Sequence, residues 1–161
     1  MTEADFKKHL EAAESGPKLT ALAVSGLSDK TLRYKPAPEK WCILEILGHL
    51  ADVEIVFGHR IRQMLASPKS TITPMDQEAW ARNLGYLETP PSEMIALYGV
   101  NRHANLQILR RIKIPDLEKS AFHPQLNREW RLAEIVEKLD THSAKHLEQI
   151  EALKRRAQAS S

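Results

Sequence analysis

A single cysteine, Cys42, stands among 161 residues. No internal disulfide can form, and a secreted disulfide scaffold is excluded. Neither sign of charge dominates: 23 lysines and arginines face 21 acidic residues, for a net charge of +2. That balance gives no concentrated basic field for nucleic acid. The one basic run, Lys154-Arg155-Arg156, falls at the end of the last expected helix, where cations suit the dipole. No apolar run reaches the ~18 residues a membrane span needs. The opening M-T-E-A-D-F-K-K-H-L mixes acids and bases and lacks the pattern of a signal peptide. A soluble cytoplasmic protein is expected, with no nucleic-acid or membrane partner. Glycine is scarce, at 6 residues, and no repeat, low-complexity stretch or long linker appears. One domain over residues 1–161 is expected.

What the chain does have is helical periodicity. Apolar residues recur at three- and four-residue steps in four long segments. The first runs from about Glu3 to Val24, with Ser15-Gly16-Pro17 expected to kink or break it. The second, Cys42 to Ala66, carries Ile43, Ile46, Leu50, Val53, Phe57, Ile61 and Met64. A short turn of helix is expected around Met75 to Arg82. The third long helix starts near Pro91, a favourable first-turn residue, and ends before Pro115. Phe122 to Trp130 reads as irregular or as a small hairpin. The fourth helix spans Arg131 to Ala157. These elements predict an all-α, antiparallel four-helix bundle with extra short helices.

Histidines interrupt the stripe of the fourth helix. Leu132, Ile135, Leu139, His142, His146, Ile150 and Leu153 follow one another in steps of three or four. His142 and His146 therefore point the same way, one turn apart, and can share a metal ion. On the second helix His49 lies beside Ile46, Leu50 and Val53, with Asp52 following. If the two helices meet, three imidazoles can converge, as bundle cores permit. Buried imidazoles otherwise need hydrogen-bond partners in the core, so spacing leaves a metal site and a hydrogen-bonded core both open. His9, His59, His103 and His123 are read as exposed, capping or loop residues. Asn101, Arg102 and Asn105 interrupt the third stripe midway; such residues either line a cavity or, more usually, face solvent.

Two motifs sharpen the choice. Leu32 to Glu54 reads L-R-Y-K-P-A-P-E-K-W-C-I-L-E-I-L-G-H-L-A-D-V-E, and His142 to Ile150 reads H-S-A-K-H-L-E-Q-I. With the intervening F-H-P-Q-L (Phe122 to Leu126), they resemble the signatures of the DinB-like (DinB/YfiT-like) superfamily, in the branch whose first motif holds a tryptophan. The resemblance implies a four-helix bundle binding one divalent metal through His49, His142 and His146. Such proteins are commonly described as metal-dependent hydrolases. Some are thiol S-transferases using a low-molecular-weight thiol such as bacillithiol or mycothiol, and homodimers are frequent. One departure is Cys42, where the family usually has Ser or Thr after the tryptophan, giving the capping box S-x-x-E. A thiol caps a helix poorly, although Glu45 can still bond back to the cap amide. A thiol at a helix start can be activated, and a buried inert one is the more usual case.

Three neutral imidazoles leave an open coordination position, which serves water activation and thiol activation equally. Zinc is the expected ion and nickel the next, since imidazole suits both. Asp52 is a candidate to orient His49, Glu45 or Glu54 to act as base, and Arg102 to hold a substrate carboxylate, each against a surface role. The catalytic residues and the small-molecule substrate stay unnamed by sequence. Two rivals stand beside the metalloenzyme: a dimeric stress or interaction protein with a structural metal, and a metal-free helical binding module.

Overall fold

A computed structural model describes residues 1–159. Four long helices form the bundle: α1 (Glu3–Val24), α3 (Ile43–Ala66), α5 (Pro91–Leu109) and α6 (Leu132–Ala159). Two short helices, α2 (Asp29–Leu32) and α4 (Gln77–Asn83), lie in the connections. A hairpin of β1 (Ser120–His123) and β2 (Arg128–Arg131) precedes α6, pairing antiparallel with Ala121 opposite Trp130. The region read as irregular or hairpin is thus a hairpin, turned by Asn127 in the left-handed region (φ 49°). The backbone of Ile72 and Ser70 adds to its edge by bonding to Phe122.

Sequence cues set the ends of these elements. Thr2 and Asp5 form a reciprocal cap on α1. Pro91 opens α5 at its first position, where a missing N–H costs nothing. On α3 the Cys42 amide donates to Glu45 Oε2 at 2.8 Å, so the carboxylate half of the cap survives the thiol. Of the kink or break expected at Pro17, the break does not occur: α1 runs through it. A proline removes the bond to the carbonyl four residues earlier. Here that carbonyl, on Ala13, accepts from Arg102 Nη1 at 2.5 Å.

The all-α four-helix bundle is of the expected class, while the order of its helices and the direction of each neighbouring pair are not fixed by stripes alone. Helix α3 packs on α5 and α6, and α1 packs on the same two. Chain-consecutive α1 and α3 therefore sit on a diagonal, as do α5 and α6. Contacts give the directions. Ala13 meets Arg102, while Gly99 lies beside Pro17, so α1 and α5 are antiparallel. Phe57 meets His142 and His49 meets His146, so α3 and α6 are antiparallel as well. Glu54 meets Arg102 and Gly58 meets Asn105, so α3 and α5 run together. The apolar core divides in two. Phe6, Phe57, Leu106 and Leu139 belong to one part, and Val24, Leu47, Tyr98 and Ile150 to the other. The histidines of α3 and α6 lie between them.

Candidate metal centre

The N-terminal half of α3 is buried almost without interruption, which draws His49 inside at 2% exposure. On α6 the heptad-like stripe brings His146 inside and leaves His142 half-buried. Their rings meet at one point. His142 Nε2 lies 3.1 Å from His49 Nε2 and 3.1 Å from His146 Nε2. The ligand atoms of all three lie within 4.8 Å of one another.

Burial holds these rings neutral. It pushes His49 down to about 3, helped by His146. It pushes His142 down to about 2, with His146 and His49 adding to the effect. Burial lowers His146 too, against the opposing effect of its hydrogen bond to Gln149. Neutral imidazole is the form that ligates a metal. Three neutral rings bring at most three N–H groups, and facing Nε2 atoms cannot all be satisfied by protons. A tetrahedral ion with bonds of ~2.0–2.1 Å sets neighbouring nitrogens about 3.3 Å apart, close to the 3.1 Å that separates His142 Nε2 from each of the other two. The donor set therefore fits a divalent ion.

The surroundings supply orientation and walls. Gln149 Oε1 lies 3.1 Å from His146 Nδ1 and accepts its proton when Nε2 faces the centre. Trp41 stacks parallel to His146 at 6.4 Å and tilts on His49 at 4.8 Å. Its indole N–H donates to Glu78 Oε2 at 3.2 Å, tying α4 to the site. Two cavities open at the histidines. One of about 360 Å³ is lined by Trp41, Glu39, Glu78, Lys145, His142 and His146. The other, about 200 Å³, lies on the hairpin side between His49, Phe57 and His123.

Several accessory candidates have other work. Asp52 does not reach His49; its Oδ2 accepts from Tyr86 Oη at 2.5 Å, and His49 Nδ1 is buried without a partner. Glu45 caps α3 and pairs with Lys35 at 2.7 Å. Glu54 is buried against Arg102 at 2.7 Å. Arg102 and Asn105, expected on the solvent face, are both buried in this network. Arg102 is thereby spent on Glu54, Ser143 and Ala13. Cys42 is fully buried, and burial raises its thiol above the ordinary range, which leaves it inert. His123, read as a loop residue, is buried at 7% exposure and walls the smaller cavity. Its place in a hairpin that folds back on α3 carries no periodic signal. His59 and His103 are exposed as expected, and His9 pairs with Asp140 at 3.0 Å.

Fold and site together define a four-helix bundle with a three-histidine centre between two of its helices. The chain belongs to the DinB superfamily, whose family model matches residues 12–150. It is similar to the Oceanobacillus iheyensis protein named "Putative metal-dependent hydrolase OB0413", at 26% identity over 93% of this chain and 86% of that protein. It is also similar to Bacillus subtilis YfiT, which carries the same functional name, at 24% identity over 92% of this chain and 84% of that one. The solved structure of YfiT, described as having an unusual four-helix bundle topology, superposes with a TM-score of 0.92 over 97% of this chain and 89% of that chain. A mycothiol-dependent maleylpyruvate isomerase shares the fold at a TM-score of 0.67 and 14% identity, over 91% of this chain and 62% of that one. Among the described residues no helix is long and apolar enough to cross a membrane.

Proposed function

We propose that this protein is a metal-dependent hydrolase in which His49, His142 and His146 hold one divalent ion, zinc first and nickel next. The observation that carries the reading is the meeting of three neutral imidazoles, with His142 Nε2 3.1 Å from the Nε2 of both His49 and His146 and all three ligand atoms within 4.8 Å, beside open cavities. When bound, such an ion acts as a Lewis acid that makes water or a thiol ionisable near neutral pH. Gln149 holds the His146 ring in its ligating orientation through Nδ1. Trp41 covers two of the rings and keeps bulk water from that side. Glu78, held through Oε2 by the Trp41 N–H, lines the larger cavity together with Glu39 and is our candidate to take up a proton. The names of the similar proteins support hydrolysis over thiol transfer, which uses the same three ligands.

The test is direct. Tag-free protein is loaded with zinc or nickel, desalted and assayed for metal per chain. It is then offered small esters and amides, and in parallel a low-molecular-weight thiol with an electrophile. About one equivalent of metal, with ester or amide turnover that His146→Ala abolishes, is expected. Less than about a tenth of an equivalent in folded protein overturns the metal reading. Turnover confined to the thiol pair replaces hydrolysis by thiol transfer. Stoichiometric metal without turnover, and a melting temperature lowered by His146→Ala, assigns the ion a structural role.

A further inference from the structure

The smaller cavity at the histidines is lined by a buried cation that has no counter-ion among the described residues. Arg60 lies on α3 in line with His49, Val53 and Phe57, at steps of four, four and three residues, so all four share one face. It is 6% exposed. Its Nη2 donates to the Thr73 carbonyl at 3.0 Å, and its guanidinium lies 5.3 Å from the centre of the Trp130 ring. Nε is buried without a partner, and Nη1 donates to nothing among the described residues. No carboxylate pairs with it there. The contrast with Arg102 is instructive. That guanidinium, 2% exposed, shares an unpartnered Nε but is ion-paired with Glu54 at 2.7 Å and also donates to Ser143 and the Ala13 carbonyl. Burying an unpaired charge is expensive, and a fold retains one where something else supplies the opposite charge.

The neighbours of Arg60 narrow that something. The cavity is about 200 Å³, and its lining includes His49 and His142 at one side and Arg60, His123 and Gln125 at the other. His123 presses its ring edge on Trp130 at 5.3 Å, and its Nδ1 is buried without a partner. Burial and the Arg60 charge keep the His123 ring neutral. One positive charge is therefore available, with spare N–H donors around it. That suits a single negative charge. A phosphate dianion would bring one charge too many into a low-dielectric space.

We propose that this cavity is the subsite for a carboxylate group of the substrate, with Arg60 as its counter-ion. The substrate class is then a small carboxylate-bearing ester or amide, whose cleavable bond lies toward His49 and His142. The position of that bond rests on the hydrolase reading above; the carboxylate site does not. Arg60 is a specificity-determining residue in this scheme, since its charge selects an anionic substrate.

N-acetylglycine and its uncharged counterpart N-acetylglycinamide serve as probes, titrated calorimetrically into metal-free and zinc-loaded full-length protein. The acid is expected to bind at least about tenfold more tightly than the amide in both forms. It should also shift the Arg60 Nε–H resonance in a nitrogen-correlated NMR spectrum. Arg60→Gln is expected to remove the preference while zinc per chain is unchanged, and Arg60→Lys to retain part of it. Equal binding of acid and amide by the wild-type protein overturns the proposal without any variant having to fold. So does a preference that survives in Arg60→Gln, or saturation by inorganic phosphate in place of the acid. Zinc loading without acid preference leaves the metal reading standing and removes the subsite. Acid preference in protein that takes up no zinc does the reverse.

Discussion

Arg102 on α5 donates to the Ala13 carbonyl on α1, the acceptor that Pro17 leaves without its helical N–H. The same guanidinium holds the buried Glu54 carboxylate of α3 at 2.7 Å and the Ser143 hydroxyl of α6 at 2.9 Å. One side chain thus ties all four helices of the bundle at a single level, reaching α6 at Ser143, the residue that follows His142. A proline inside a long helix is tolerated because a long-range donor replaces the lost local one.

That relationship sets an expected coupling. Arg102→Met strands the Glu54 charge in the core and should cost about 3–5 kcal/mol in urea unfolding. Pro17→Ala restores an N–H at position 17, which competes for the Ala13 carbonyl. In a double-mutant cycle, Arg102→Met should cost less in the Pro17→Ala background than in the wild type. Strict additivity would show that the two residues do not share that acceptor.

Gly48 offers a second test, with an inverted sign. In an exposed helix interior Gly→Ala stabilises by roughly 1 kcal/mol. A Cβ at Gly48 would lie 2.3 Å from the Tyr86 ring, which no packing tolerates. Gly48→Ala should therefore destabilise, and Tyr86→Ala in the same chain should recover part of the loss. Tyr86 is itself anchored by Asp52, so the variant should also disturb the segment after α4. Thermal unfolding of the single and double variants reads the sign.

The two acidic or amide neighbours of the histidines should separate in metal affinity. Gln149 meets His146 Nδ1, so Gln149→Leu is expected to weaken zinc binding by about 10–100-fold. Asp52→Asn changes only the bond to Tyr86 and should leave zinc affinity within about threefold while lowering the melting temperature. Competition against a chromophoric chelator measures both. Equal losses in the two variants would contradict the placement of Asp52.

Acid should weaken the metal-free protein in a defined window. Histidine in an unfolded chain titrates near ~6.5. In the folded state burial holds His49 down at about 3 and His142 at about 2. Between those values the unfolded chain carries more protons, so stability rises with pH there and falls on acidification below about 6.5. The melting temperature of chelator-treated protein should drop from about pH 7 to about pH 5, before most carboxylates titrate. A flat profile over that range would mean that the rings are solvated.

The sequence by itself determined what depends on neighbours along the chain. Three- and four-residue steps set the long helices and put His142 and His146 on one face, because a helix repeats every 3.6 residues. The paired motifs singled out His49 as their companion. Tertiary structure alone decided which helices touch. The diagonal placement of α1 against α3, and the antiparallel meeting of α3 with α6, are what bring His49 to His142. The same packing turned Arg102 inward to Glu54, took Asp52 away to Tyr86, and folded the hairpin so that His123 faces the cavity beside Arg60. Those outcomes rest on contacts between residues far apart in the chain, where periodicity carries no information and the partner of each buried charge is chosen by packing.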